Sequence, residues 1–144
     1  MNSYFPDVNV WLALSYEAHQ HHASAKAWFT KLTDGPVYFC RFTQLSFLRL
    51  LTHPSVMGED VRSQKESWLV YDSFLQDDRV AFHIEAEPEQ IELAFRRLTS
   101  GGRSLSRQWR DAYLAAFARV AGLTLVTFDR GLRQMATGNT LLLH

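Results

Sequence analysis

The chain has a single cysteine, Cys40, so no disulfide can close within it and no thiol cluster can hold a soft metal. Lysine is scarce, at three residues, and the fifteen basic side chains are matched by fifteen acidic ones. A net charge of zero excludes generic, charge-driven binding to nucleic acid, though not a local basic patch. No apolar run approaches the length of a bilayer span. The first residues lack the basic-then-apolar pattern of a secretory leader. The expectation is a cytoplasmic protein with no membrane association. Repeats, low-complexity tracts and long Pro/Gly/Ser linkers are also missing. Residues 1–144 therefore read as one domain, large enough to bury about two-thirds of its extended surface.

What is present is apolar and aromatic. Hydrophobic residues make up 47%, with ten Phe, five Tyr and four Trp, so an aromatic-rich core is expected. The basic residues are mostly arginine, and Arg96, Arg97, Arg103, Arg107 and Arg110 crowd into one short stretch. Arginine matches a phosphate bidentately where lysine cannot. A salt-bridged, solvated helix face explains such a run equally well.

Periodicity and punctuation place the elements. Residues 3–6 read as a strand, with Pro6 separating it from a helix over 7–17. A second helix spans about 19–33, with Ala25, Trp28, Phe29 and Leu32 on one face. Asp34-Gly35-Pro36 is a turn, and "VYFC" a strand. Thr43 is a possible N-cap for a helix running to His53, where Pro54 stops it. Asp60 can cap a longer helix that runs to Asp77-Asp78. "VAFHI" is a strand, and Pro88 suits the first turn of the next helix. Gly101-Gly102 breaks that helix, and another over 107–121 ends at Gly122. "LTLVTF" reads as a buried strand, Asp129 opens a short helix, and "TLLL" is a final strand. Strands alternating with helices predict an α/β fold of three layers, α/β/α, with a mostly parallel central sheet of about five strands.

Three aspartates share a setting. Asp7 and Asp129 each follow a strand, and Asp111 lies near the start of helix 107–121. In open parallel sheets ligands gather at the carboxyl ends of the strands. Converging carboxylates raise one another's pKa unless a cation joins them. Oxygen donors without a His or Cys cluster favour a hard ion, Mg²⁺ or Mn²⁺. Such an ion activates water and neutralises phosphate charge. Each aspartate also reads as a helix cap or a surface charge, because helix N-termini attract acids in any case.

The residues in combination resemble a known family. "DVNVWLAL" at 7–14, "HASAKAW" at 22–28, "TQLSFLRLLTHPSVMG" at 43–58 and "RDAYLAAFARVAGLTLVTFDRGL" at 110–132 are similar to PIN-domain proteins, in particular the toxin half of bacterial VapBC toxin–antitoxin modules. The resemblance covers nearly the whole chain. It implies a PIN-like domain and a Mg²⁺- or Mn²⁺-dependent endoribonuclease, usually dimeric and inhibited by a small VapB-type antitoxin. Position by position it implies Asp7, Asp111 and Asp129 as catalytic metal ligands, with Asn9 and Thr127 orienting ligands or water. Arg110, Arg107 and Arg103 would hold the RNA backbone.

Two departures stand out. Many relatives carry a Glu on the third helix, at a place that Phe47 occupies here. A further acid two positions after the last Asp is replaced by Gly131. These losses motivate a rival expectation, a PIN-like module that binds RNA or a protein without cutting. Other candidates carry less. His19, His21 and His22 read as capping, packing or surface residues rather than a zinc site, which needs three or four converging ligands. Trp109 can stack on a base or pack half-buried. Cys40 reads as a small core hydrophobe. Ser104 and Ser106 lack a base partner for nucleophilic chemistry. The apolar faces of helices 19–33 and 60–77 are the expected place for an antitoxin.

Overall fold

A computed structural model describes residues 2–144. Five short strands alternate with helices: β1 Tyr4–Pro6, β2 Val37–Phe39, β3 Val80–Phe82, β4 Thr124–Thr127 and β5 Thr140–Leu142. The helices are α1 Val8–Ser15, α2 His22–Lys31, α3 Arg41–Leu51, α4 Pro54–Met57, α5 Gln64–Leu75, α6 Pro88–Leu98, α7 Gln108–Ala121 and α8 Arg130–Met135. All neighbouring strands pair in parallel, in the order β3-β2-β1-β4-β5. The first strand thus lies at the centre, with the strand 120 residues further on as its neighbour: Tyr4 pairs with Thr124 and Pro6 with Val126.

The pleat sends successive side chains to opposite faces, and the sheet is apolar on both. Val37 and Phe39 face one helical layer, with Trp11 of α1, Phe47 and Leu51 of α3 and Tyr71 of α5. Tyr38, between them, faces the other layer, where Phe5 and Leu125 pack on Ile91 of α6, Leu114 and Phe117 of α7 and Leu132 of α8. The three-layer α/β/α expectation holds, and the sheet is parallel throughout. The aromatic core is equally real: Trp11 stacks on Phe39 with centroids 3.8 Å apart, and Phe5 on Phe117 at 4.8 Å. Pairs of this kind add about 0.5–1.5 kcal/mol beyond the area they bury. Alanines 112, 115, 116 and 118 let α7 lie against the sheet.

Helix starts differ from expectation where capping chemistry runs in an unexpected direction. Thr43 is not the N-cap of α3. The helix begins at Arg41 after Cys40, and Thr43 reaches back from the first turn so that its hydroxyl accepts the Cys40 N–H at 2.9 Å. Asp60 does not cap α5 either, because it ends a single 3₁₀ turn, Gly58–Asp60. Ser63 caps α5 instead, in a reciprocal box with Glu66: Ser63 Oγ accepts the Glu66 N–H, and Glu66 accepts the Ser63 N–H at 2.9 Å. Pro54 does end α3, yet it also occupies the first turn of α4, where a missing N–H costs nothing. The second helix starts at His22, not 19, because residues 16–21 form turns in which His19 Nδ1 accepts the His21 N–H. Among the described residues no helix is long and apolar enough to cross a membrane.

Candidate active site

The site lies at the carboxyl ends of the two central strands. Asp7 directly follows β1, and its N–H donates to Val126 O of β4 at 2.9 Å. Its carboxylate does two jobs. Oδ1 caps α1 by accepting the N–H groups of Asn9 at 3.0 Å and Val10 at 3.2 Å. Oδ2 accepts the hydroxyl of Thr127. That hydroxyl in turn accepts the Asp129 N–H at 2.9 Å, and Asp129 Oδ1 caps α8 through Gly131 N at 2.7 Å and Leu132 N at 3.3 Å. A single chain of hydrogen bonds therefore ties two helix caps across neighbouring strands. Asp7 is a cap, as the plainer reading had it, with its second oxygen turned toward β4.

Electrostatics give the cluster its character. Asp7 is buried, 6% exposed, and its carboxyl pKa is pushed from 3.8 up to about 6. Burial is the main cause, partly offset by the Thr127 hydroxyl and the two cap N–H groups, with the Asp111 charge adding to the rise. Asp111, in the first turn of α7, is half-buried. Burial and then the charge of Asp129 raise its pKa, against a lowering from Arg110. Asp7, Asp111 and Asp129 thus sense one another's charge in sequence. None of the three forms an ion pair: among the described residues the pairs are Arg79–Asp77 and Arg96–Glu92. Nor do any three His, Cys, Asp or Glu side chains there close around one point tightly enough to enclose an ion. The carboxylates are electrical neighbours without being a ready-made cage.

The other expected residues fall around this cluster. Asn9 is exposed next to the Asp7 cap, and Thr127 is fully buried between Asp7 and Asp129. Arg107 immediately precedes α7, Arg110 lies in its first turn and Arg103 on the loop before it. All three are exposed and carry no salt bridge. The salt-bridged reading applies to Arg96, which pairs with Glu92 one turn away at 3.0 Å.

Phe47 does not stand at the carboxylate edge. It is fully buried against Phe39 and Phe74 in the opposite layer. Phe42 of α3 meets Tyr113 of α7 edge-on at 5.7 Å, and helical spacing puts Ser46, one turn on, along the same face of α3. At Gly131 an added Cβ would come within 3.1 Å of Asp129 Oδ1, so a side chain there would crowd the cap.

The histidines are engaged elsewhere. His22 Nδ1 lies 2.7 Å from Ala13 O, and His21 stacks on Phe128, the residue between Thr127 and Asp129, at 4.3 Å. Arg130 and Arg133 of α8, which sequence reasoning did not single out, line with His144 a shallow cavity of about 340 Å³. The signal was present in "DRGLR", a second basic flank on the far side of Asp129.

Comparison with known proteins agrees with this architecture. The profile of the PIN domain family matches residues 4–138. Ribonuclease VapC41 of Mycobacterium tuberculosis is 40% identical over 132 residues, covering 89% of this chain and 90% of the relative. A crystal structure of VapC20, described as a sarcin–ricin loop cleaving toxin, from the same organism superposes with a TM-score of 0.67 at 19% identity, over 91% of this chain and 93% of that one. VapBC2 of Rickettsia felis, bound to a DNA fragment from its promoter, superposes with the same TM-score at 11% identity over 99% of both chains.

Proposed function

The chain belongs to the PIN-domain family, in its VapC group, and from that premise we propose that it is a divalent-metal-dependent endoribonuclease, the toxin half of a toxin–antitoxin pair. The observation that carries the reading is Asp7 and Asp129 at two strand ends with Asp111 in the first turn of α7, coupled in charge and, among the described residues, in no salt bridge. A buried carboxylate held near pKa 6 by desolvation is costly to ionise. A hard cation relieves that cost, and an all-oxygen donor set suits Mg²⁺ or Mn²⁺. Asp7 Oδ1 and Asp129 Oδ1 each carry two cap hydrogen bonds, whereas Asp7 Oδ2 accepts one, from Thr127, and keeps a lone pair for a cation. In charge and donor type the residues fit the group, and the ion would have to draw the three carboxylates together.

Asp7, Asp111 and Asp129 would hold the ion. When bound, it supplies an activated water and neutralises charge on the scissile phosphate. Thr127 fixes the orientation of Asp7 by donating to Oδ2, and at the same time holds the Asp129 backbone. Asn9 offers an exposed amide beside the Asp7 cap to orient water or a ligand. Arg110, Arg107 and Arg103 are free guanidinium groups suited to the RNA backbone. Relatives described as ribonucleases support RNA as substrate, and the VapBC2 complex supports a VapB-type antitoxin as partner. A homodimer working in the cytoplasm completes the proposal.

A second reading, a PIN module that binds without cutting, draws on one observation: among the described residues the three acids do not close into a cage. Cleavage of a fluorescent single-stranded RNA panel decides between them, with Mn²⁺, Mg²⁺ or EDTA and an Asp7→Asn control purified identically. Metal-dependent cutting lost in the variant is expected. Equal residual cutting by both proteins, or none by either at millimolar metal, would refute the nuclease.

A further inference from the structure

Trp109 is the largest side chain left open near the carboxylates, at 57% exposure. It stands in the first turn of α7, two residues before Asp111: about 3 Å along the helix axis, and about 200° around it, so that the indole lies across the helix end from the carboxylate. Only its contact with Phe95 is aromatic, an edge-on one at 6.0 Å, so much of the indole surface is free. A cavity opens on each side of it. One, of about 290 Å³, lies toward the loop before α7, among Leu98, Arg103 and Leu105. The other, of about 380 Å³, is walled by Phe42, Phe95 and Tyr113, with Arg110 at its edge. An exposed tryptophan flanked by two apolar hollows would ordinarily invite a protein partner. Here the hollows are rimmed by Arg103 and Arg110, neither of which forms a salt bridge among the described residues.

We infer that Trp109 is a stacking platform for one unpaired base of the RNA, a helix width (~10 Å) from the carboxylates and so a nucleotide or two from the scissile phosphate, while Arg103 and Arg110 hold the intervening phosphates. The inference rests on the ribonuclease reading and adds to it the recognition of an unstacked, single-stranded nucleotide. Aromatic platforms bordered by guanidinium groups suit single strands, because every base presents a face to stack while duplex bases do not. A paired duplex would offer Trp109 only its edges and backbone.

The test uses fluorescein-labelled RNA hexamers and their abasic versions, binding in EDTA, followed by anisotropy and by tryptophan fluorescence. Trp109→Ala is expected to weaken binding roughly 5- to 150-fold, the range that one stacked base confers. Trp109→Phe keeps most of the affinity but loses the tryptophan quenching. Trp68→Ala, at an exposed tryptophan on α5, changes neither. Removing the stacked base should weaken the wild-type protein and leave Trp109→Ala unaffected. Wild-type affinity and KM in Trp109→Ala would overturn the inference while leaving the nuclease intact. Retained RNA affinity with loss of a co-purifying protein partner would also overturn it, assigning the surface to that partner. A wild-type protein that binds no hexamer would overturn this inference, and the cleavage panel then reports separately on the nuclease.

Discussion

Replacing Asp7 by Asn should make the metal-free protein more stable and inactive. Burial lifts the Asp7 pKa from 3.8 to about 6, so the folded chain holds this proton more tightly than the unfolded one. Between those two values the native state binds more protons, and stability falls as pH rises through the window. At about 1.4 kcal/mol per pH unit, the ionised carboxylate costs the fold about 3 kcal/mol above pH 6. Asn carries no such charge and still offers Oδ1 to the N–H groups of Asn9 and Val10, since it caps helices as well as Asp does. It loses the acceptor for the Thr127 hydroxyl, worth about 1–1.5 kcal/mol. The net expectation is a gain of about 1–2 kcal/mol at pH 8 in EDTA. For a domain of this size that is about 3–8 °C in Tm.

Urea unfolding from pH 4 to 8 reads it directly. The advantage of Asp7→Asn should shrink as pH falls toward 4, where the wild-type carboxyl is also neutral. Added Mn²⁺ should narrow or invert the order at pH 8, because a ligand that binds only the native state stabilises the protein that holds it best. A variant less stable than wild type at pH 8, or a gap that does not depend on pH, would refute the account of Asp7 as a desolvated carboxylate.

Other perturbations test separate parts of the structure. Thr127→Val strands both Asp7 Oδ2 and the Asp129 N–H and should cost about 1–3 kcal/mol in denaturant unfolding, with Thr127→Ser restoring most of it. Arg79 pairs with both Asp77 oxygens and donates to the carbonyls of Phe29 and Leu32. Arg79→Ala should therefore lower stability by about 2–3 kcal/mol, and Arg79→Lys should not rescue it, lacking the planar fork. Phe47→Glu should leave the protein unfolded, an unpaired charge in a core exceeding about 4 kcal/mol. Ser46→Glu should fold normally by circular dichroism; the opposite pair of outcomes would put Phe47 back at the carboxylate edge.

Local chemistry carried most of the fold. Strand-length apolar runs such as "LTLVTF", Gly122 at a left-handed C-cap and Pro88 at a helix start each announce themselves within a few residues. The errors came where two residues could do one job. Thr43 and Cys40 sit at opposite ends of the same capping interaction, and only the backbone angle at Cys40 shows which is the cap. Asp60 and Ser63 compete likewise, and the Glu66 partner decides for Ser63. Pro54 ends one helix and begins another, a double role no single-position rule contains. The site was legible as three strand-end or helix-start acids, whereas their adjacency depends on β1 lying beside β4, which periodicity does not encode. Phe47 was misplaced because a helix of known extent still leaves its rotation open by one residue, or 100°. Tertiary packing of Phe47 on Phe39 fixes it.

The pairing of β1 with β4 also sets a clock. Thr127, which orients Asp7, is translated 120 positions after it. At about 5–20 residues per second, that is roughly 6–24 s of synthesis. Throughout that interval the nascent chain has the β1 end of its central pair without β4, and so has Asp7 without Thr127 or Asp129. The carboxylate row cannot assemble until β4 has left the ribosome and slid in beside β1. On the nuclease reading proposed above, a growing chain cannot cut RNA during that interval. A partner translated alongside it has those seconds in which to be ready.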